Sequence, residues 1–209
     1  MRVIKPSVEL VSKLNAEEIL LIIEKAGRIC YRSENKITDD SAHKFIKNLI
    51  KLGHESVIEH CSITVKIICD RGVSHEIVRH RIASYSQEST RYCNYTHDKF
   101  ENELCFIEPC FWNNDLENES LKEIWLESLR MIEENYFNMI ELGAKPEEAR
   151  SILPNSLKTE MFVTMNLRAW RHFLKLRINK KSHPQIREIA NIVLKEFTEN
   201  LPIFFDDIR

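Results

Sequence analysis

Apolar residues recur at helical spacing in two segments of the N-terminal quarter of the chain. Within residues 15–29, isoleucines and leucines repeat along one helical face, and Asn15 is the expected N-cap. Residues 40–52 repeat the pattern, and Gly53 follows as the residue expected just beyond a helix C-terminus. The pattern predicts two amphipathic helices.

The period changes at residues 62–70, SITVKIICD, which are rich in β-branched side chains. Ile63, Val65 and Ile67 fall on one side of an extended chain, which predicts a strand. The next segment, GVSHEIVRHRI, returns to helical spacing. Residues 83–100 are polar and aromatic with no clear period, which indicates a structured loop of the kind that commonly carries function.

The second half of the chain mixes both periods. A short strand, CFIEP, precedes a long helix near 117–142 that stops at Gly143, and a short helix is expected over 146–152. KTEMFVTMN indicates a strand, LRAWRHFLKLRI a helix, and 184–199 a final helix. Because strands and helices mix without regular alternation, we expect an α+β fold: a single mixed domain over 1–209, with a β-sheet flanked by helices.

Composition narrows the class of protein. The chain is 43% hydrophobic and 30% charged, as in ordinary globular proteins, and its net charge is −2. This balance argues against general binding to nucleic acid or to a membrane surface. The sequence shows no export signal and no apolar run long enough to span a bilayer, so we expect a cytoplasmic protein with reduced cysteines.

Glycine usage constrains how a cofactor could be held. The 4 glycines are too far apart for either a Rossmann glycine fingerprint or a P-loop. Side chains would therefore have to bind any phosphate, which directs attention to arginines.

The first arginine-rich stretch is RHRIASYSQESTRY, which contains Arg79, Arg81 and Arg91 with hydroxyl side chains between them. Guanidinium groups bind phosphate oxygens in pairs, and the hydroxyls can satisfy the remaining acceptors. The alternative is a solvated basic face. The apolar residues immediately before Arg79 argue against that alternative.

The second stretch is NLRAWRHFLKLR. Arg168 and His172 are spaced to lie on one helical face, with Asn166 just before the helix. Arg177 lies roughly 140° around the helix from His172. Either the helix ends before Arg177, or Arg177 serves another cavity or another subunit. Arg150 lies on a separate element and could join either site. These arginines could equally neutralise Glu147, Glu148 and Glu160, and the pattern alone leaves both interpretations open.

Histidines near residues 54–60, GHESVIEH, invite comparison with a metal site. Their spacing does not place two ligands on one helical face, and no His-Glu-x-x-His string occurs, so no metal is expected. A serine hydrolase is also disfavoured, because the Gly-x-Ser-x-Gly elbow is missing.

Four motifs, in this order, resemble those of flavin-dependent thymidylate synthases. They are GHESVIEH, RHR followed after seven residues by Ser89, ARSILP at 149–154, and NLRAWRHFLKLR at 166–177. The resemblance covers most of the chain. It implies an α+β fold in a homotetramer with active sites at subunit interfaces. It also implies that dUMP is methylated to dTMP, with methylenetetrahydrofolate as carbon donor and FAD, reduced by NADPH, as hydride source.

The resemblance also implies site residues. FAD contacts are expected at Ser56, Glu59, Arg79, His80, Arg81, Ile82, Gln87, Asn166, Arg168 and His172. Nucleotide contacts are expected at Glu76, Arg79, Gln87, Glu88, Ser89, Thr90, Arg91, Arg150 and Arg177. Arg177 resembles the catalytic residue proposed to polarise the uracil, where a fixed cation would stabilise developing negative charge. Ser89 is interpreted as a substrate-binding hydroxyl, because no base is indicated to activate it.

The chain departs from the family pattern in two places. Ser86-Gln87 replaces the Asn-Glu of some members, so Gln87 offers no charged acceptor, and Glu76 stands where others have an amide. Two other functions remain as alternatives: a non-catalytic phosphate- or nucleotide-binding module, and a flavoprotein reductase with another acceptor.

Overall fold

The structure is a computed structural model that describes residues 1–97, 101–112 and 118–208. Its strands are β1 (Arg2–Ile4), β2 (Ser7–Leu10), β3 (Ser62–Asp70), β4 (Ala83–Gln87), β5 (Cys105–Ile107) and β6 (Lys158–Asn166). Its α-helices are α1 (Ala16–Ile29), α2 (Ser41–Lys51), α3 (Arg71–Ile77), α4 (Glu119–Glu141), α5 (Pro146–Ala149), α6 (Leu167–Arg177), α7 (Pro184–Asn200) and α8 (Pro202–Phe205). Short 3-10 helices cover Glu34–Lys36, Glu55–His60, Cys110–Trp112 and Arg150–Ile152. This content confirms the predicted α+β class.

Local signals account for most of the element boundaries. Asn15 caps α1 by accepting a hydrogen bond from the backbone of Glu18 at 3.2 Å, and Asp70 caps α3 from the end of β3. Gly53 and Gly143 follow α2 and α4 with φ of 73° and 97°, a left-handed conformation in which glycine has no Cβ penalty. The ends at Asn15, Gly53 and Gly143 agree with the sequence predictions, whereas the cap at Asp70 was not predicted.

The segment after α3 differs from its prediction. The helix expected over GVSHEIVRHRI ends at Ile77, and residues 83–87 of the expected loop form strand β4. Side chains of β4 alternate between half-buried and exposed, but most of them are polar, so hydrophobic periodicity carries no signal there. Residues 98–100 of the expected loop, and residue 117 of the expected long helix, lie outside the described residues. Strands β1 and β2 and helix α8 were not predicted.

The strands form two sheets. One has two parallel strands, β1 and β5, with Val3 opposite Phe106. The other has four strands in the order β2-β3-β6-β4. Within the described residues, no helix combines the length and the apolar character that crossing a bilayer would require.

Contacts along the chain divide it into two compact units. The first unit comprises Met1–Ser7, Ile67–Arg79 and Ser86–Met161, and the second unit comprises Val8–Lys66, His80–Tyr85 and Phe162–Arg209. Each unit is assembled from separate stretches of sequence, so neither corresponds to a continuous segment. The expectation of a single domain over 1–209 stays a prediction.

The first unit has its own hydrophobic core. Its buried members are Tyr95, Leu104, Phe106, Leu129, Tyr136, Ala149 and Leu157. The rings of Tyr95 and Tyr136 meet edge to face with centroids 5.8 Å apart, a favourable aromatic geometry. This core attaches α4 to the segment that begins at Ser89.

The core of the second unit is centred on Trp170 of α6. Its ring lies 5.6 Å from that of Phe173 and 5.2 Å from that of Phe197, both nearly perpendicular. The indole N–H donates to the carbonyl of Ile63 at 3.0 Å, so the buried polar atom is satisfied. These contacts fix α6 against α7 and β3, and they therefore determine where the polar side chains of α6 lie.

Candidate active site

Ile82 lies in the second unit, in the turn just before strand β4. Its φ is 65° and its side chain is 81% exposed. A β-branched residue in the left-handed region is strained, at a cost of about 1–2 kcal/mol. The turn is closed by the Tyr85 hydroxyl, which donates to the His80 carbonyl at 2.6 Å. The surrounding contacts thus hold an apolar side chain out toward solvent.

His80, at the start of this turn, is buried and contacts α6. Its ring packs edge-on against Phe173 with centroids 4.9 Å apart, and the ring of His172 lies 6.1 Å away. Its Nε2 accepts a hydrogen bond from Nε of Arg177 at 2.9 Å. Burial, then the charge of Arg177, then His172, lower the pKa of His80 to about 4. The imidazole is therefore neutral near pH 7, with its proton on Nδ1.

Helix α6 continues through Arg177, which excludes the possibility that the helix ends before it. Asn166 caps the helix, its Oδ1 accepting from the backbone of Ala169 at 2.8 Å. His172 and Arg177 are far apart around the helix, yet both lie beside His80. The structure thus brings together three of the predicted site residues.

The 3-10 helix Glu55–His60 contributes a second pair of predicted residues. Glu59 and Arg168 form an ion pair at 2.5 Å, with both side chains roughly half exposed. Such exposed pairs contribute only about 0–1 kcal/mol, so a phosphate could replace the carboxylate at little cost. Ser56 is exposed on the same 3-10 helix.

Arg171 is a buried residue that the sequence reasoning missed. Its guanidinium forms two hydrogen bonds of 2.7 Å with the Asp207 carboxylate, bonds Glu55 at 3.0 Å, and donates to the Phe204 carbonyl. These hydrogen bonds to Arg171 lower the pKa of Asp207. Arg171 falls within the apolar stripe of α6, four residues after Leu167, and that position was a usable signal of burial.

In the first unit, Gln87 is held by two buried hydroxyls. Its amide nitrogen donates to Ser74 at 2.9 Å and to Thr159 at 3.1 Å. Ser74 donates its own proton to the Arg71 carbonyl, so it can only accept from Gln87, which fixes the amide orientation. Glu76 is partly buried in α3, and Arg79 is exposed just after it.

Glu88 makes protein contacts with both carboxylate oxygens. One accepts from the Tyr95 hydroxyl at 3.1 Å, and the other pairs with the Lys158 ammonium at 3.1 Å. Burial and the Glu88 charge raise the pKa of Tyr95. Burial of Lys158 opposes its charge, but its bonds to Glu160 and Glu88 outweigh this and raise its pKa. Glu88 thus anchors the chain just before Ser89.

Ser89 to Arg91 form a turn after β4. Ser89 accepts from the Arg91 backbone at 3.3 Å through its hydroxyl, and its carbonyl accepts from Tyr92 at 3.2 Å. Thr90 is buried. Arg91 pairs with Glu147 at 2.8 Å, again between exposed side chains. The turn therefore combines a hydroxyl with a weakly paired cation.

For Arg168, the structure shows which glutamate the arginine neutralises. Glu147 pairs with Arg91, and Glu160 pairs with Lys158, whereas Arg168 pairs with Glu59. Ser56, Arg81 and Arg150 are exposed. The roles of all the predicted site residues stay predictions. Among the described residues, no group of three His, Cys, Asp or Glu side chains is arranged to hold a metal ion.

Comparisons with known proteins cover most of the chain. A family model described as "Thymidylate synthase complementing protein" matches residues 9–203. A flavin-dependent thymidylate synthase of Pyrococcus furiosus is 34% identical over 189 residues, covering 90% of this chain and 73% of its own length. The flavin-dependent thymidylate synthase of Pyrococcus horikoshii is 40% identical over 165 residues, covering 78% of this chain and 66% of its own length.

The fold is shared with a solved structure. The crystal structure of the UMP/dUMP methylase PolB from Streptomyces cacaoi, bound with 5-Br dUMP, matches with a TM-score of 0.81 at 23% identity. The match covers 99% of this chain and 96% of that chain. The chain is an enzyme of nucleotide biosynthesis. It belongs to the flavin-dependent thymidylate synthase family, which confirms the resemblance seen in the four motifs.

Proposed function

We propose that this enzyme methylates dUMP to dTMP, with methylenetetrahydrofolate as carbon donor and FAD, reduced by NADPH, as hydride source. The observation that carries the proposal is the Arg177 guanidinium, held 2.9 Å from His80 at the end of α6 within the matched region. We also propose a homotetramer with active sites at subunit interfaces.

The second unit carries side chains that suit FAD. Arg81 is an exposed cation, and Arg168 pairs with the exposed Glu59, so both suit a pyrophosphate. Exposed Ile82 offers apolar surface for the flavin ring. No glycine loop is needed with this donor set. When bound, FAD supplies the hydride chemistry that none of the protein side chains can supply.

The first unit carries all the side chains proposed for the nucleotide except Arg177. The turn from Ser89 to Arg91 offers a hydroxyl and a guanidinium, and Arg79 and Arg150 are further exposed cations. A phosphate dianion binds guanidinium groups more strongly than a single exposed carboxylate does. Glu147 would then give way to the phosphate at Arg91.

Arg177 is the residue proposed to act on the uracil. A fixed cation beside the ring stabilises negative charge as it develops, which makes C5 a better nucleophile. This role dispenses with an activating enzyme cysteine. Ser89 acts as a ligand for the nucleotide, since an unactivated hydroxyl is a weak nucleophile.

The test is an assay on purified protein reconstituted with FAD. Flavin absorbance and release of tritium from dUMP labelled at C5 are expected, with release dependent on methylenetetrahydrofolate and NADPH. NADPH oxidation without tritium release would indicate a reductase with another acceptor. A protein that binds dUMP but cannot bind FAD would indicate a nucleotide-binding module.

Arg177→Ala sharpens the test. Turnover should fall greatly while FAD stays bound, because the change removes a charge that acts on the substrate. Lys175→Ala is the matched control, because it removes an exposed cation from the same helix. The Lys175 ammonium makes a long ion pair of 3.4 Å with Glu55. Loss of FAD from Arg177→Ala would instead make Arg177 a cofactor ligand.

A further inference from the structure

The contact between Arg177 and His80 joins residues 97 positions apart in the sequence and lies within the second unit. A guanidinium is a donor only, so the imidazole nitrogen must be the acceptor. The 2.9 Å distance therefore specifies a neutral imidazole with an unprotonated Nε2. The low pKa of His80 is consistent with this state.

His80 is itself held on two sides. Its ring packs against Phe173, and its carbonyl accepts the Tyr85 hydroxyl at 2.6 Å. Phe173 and Arg177 stand at i and i+4 on α6, so they lie on the same face of the helix. That face therefore contacts His80 twice, through the Phe173 ring and through the Arg177 guanidinium. The acceptor nitrogen is thus fixed relative to the helix.

We propose that His80 is a positioning residue for Arg177, its Nε2 accepting the Arg177 Nε–H and so fixing the orientation of the guanidinium toward the substrate. The proposal deepens the proposed function and rests on it, since it assumes that Arg177 acts on the uracil. It assigns His80, which the family resemblance implied to be an FAD contact, a role that acts through Arg177.

A neutral nitrogen suits this task for an electrostatic reason. A carboxylate at the position of His80 would also hold the guanidinium, but it would offset the positive charge that the reaction needs. The imidazole holds the group and leaves its charge in place. Orientation matters because misplacement of a reacting group by about 1 Å can slow a reaction about 100-fold.

The test compares His80→Ala with His80→Gln in the FAD-loaded enzyme. His80→Ala should lower kcat about 10- to 100-fold, with FAD content and the KM for dUMP little changed. The Gln side chain carries an amide oxygen that can accept the same N–H, so His80→Gln should recover much of kcat. Added imidazole should partly rescue His80→Ala. His43→Ala, which removes an exposed histidine of α2, is the matched control and should behave as wild type.

A double-mutant cycle distinguishes positioning from a general structural role. His80→Ala should cost little in an Arg177→Ala background, because residues that act as a unit are not additive. Additive losses, or loss of FAD from His80→Ala without imidazole rescue, would overturn the proposal.

A spectroscopic measurement tests the contact between Arg177 and His80 without relying on enzyme activity. In protein labelled with ¹⁵N at arginine Nε, the Arg177 N–H should be protected from exchange with water, and His80→Ala should abolish the protection. If wild type releases no tritium, the proposed function fails while this protection remains. If protection is absent in an active wild type, the proposed role of His80 fails alone.

Discussion

We expect Ile82→Gly to raise the stability of the FAD-free protein and to lower its affinity for FAD. Ile82 has a φ of 65° and an 81% exposed side chain. The left-handed conformation costs a residue with a Cβ about 1–2 kcal/mol, a cost that glycine avoids. Glycine loses about 0.5–1 kcal/mol more entropy on folding. The difference predicts that Ile82→Gly stabilises the FAD-free protein by about 0.5–1 kcal/mol.

The same change should weaken FAD binding. Covering an exposed isoleucine side chain stabilises a complex by about 1.5–3 kcal/mol when burial is complete. Partial burial under the flavin ring would still contribute about 1.4 kcal/mol, which is a tenfold change in affinity. We therefore expect the FAD dissociation constant of Ile82→Gly to rise about 10-fold.

Two assays separate these effects. Thermal unfolding of the FAD-free protein, followed by circular dichroism, should show a rise in Tm of about 1–4 °C for a chain of this size. Titration of flavin fluorescence should show the loss of affinity. Ile82→Val is the control, because it keeps the β-branch and the strain and most of the apolar surface. Equal Tm values for the Gly and Val variants would refute the strained turn, and an unchanged FAD affinity for Ile82→Gly would refute the flavin contact.

Three further predictions concern other parts of the two units. Ser89→Ala should keep partial activity with a raised KM for dUMP, and complete loss of turnover with normal dUMP binding would make the serine a nucleophile. Lys158→Met should lower the free energy of unfolding by about 3 kcal/mol, because it leaves the mostly buried Glu88 carboxylate without its cation. Denaturant titration measures this, and adding Glu88→Gln should recover part of the loss; no recovery would mean that Lys158 stabilises by packing alone. The pKa of Asp207 is lowered by Arg171, so the stability it adds is present above its unfolded pKa near 4 and is lost as pH falls through its folded value. Asp207→Asn should therefore be less stable than wild type at neutral pH, with the difference vanishing in acid, and a constant difference across the pH series would contradict the ion pair.

Helices α1 and α2 and strand β3 were predictable because their signals are local. Asn15 at the start of α1 and Gly53 after α2 mark ends that depend only on the adjacent backbone. The strand predicted at 62–70 has the observed bounds Ser62–Asp70, because alternate apolar residues are buried there. Strand β4 was missed because most of its side chains are polar. Its half-buried positions therefore do not appear as a hydrophobic alternation in the sequence.

Charged residues of α6 show the limit of local reasoning. Helical geometry correctly placed Arg168 and His172 near one face, and it placed Arg177 elsewhere on the helix. It did not identify Arg171 as buried, although the residue lies within the apolar stripe. A charge on that stripe is tolerated only because Glu55 and Asp207 supply carboxylates.

The sequence by itself determined the α+β class, most of the helices and strands, and the family, because periodicity, caps and motif spacing are properties of short stretches of chain. The tertiary structure decided what each arginine of α6 binds. Arg168 meets Glu59, Arg171 meets Asp207, and Arg177 meets His80. The physical reason is that these partners lie far along the chain, and only the packing of α6 in the second unit brings them within hydrogen-bonding distance.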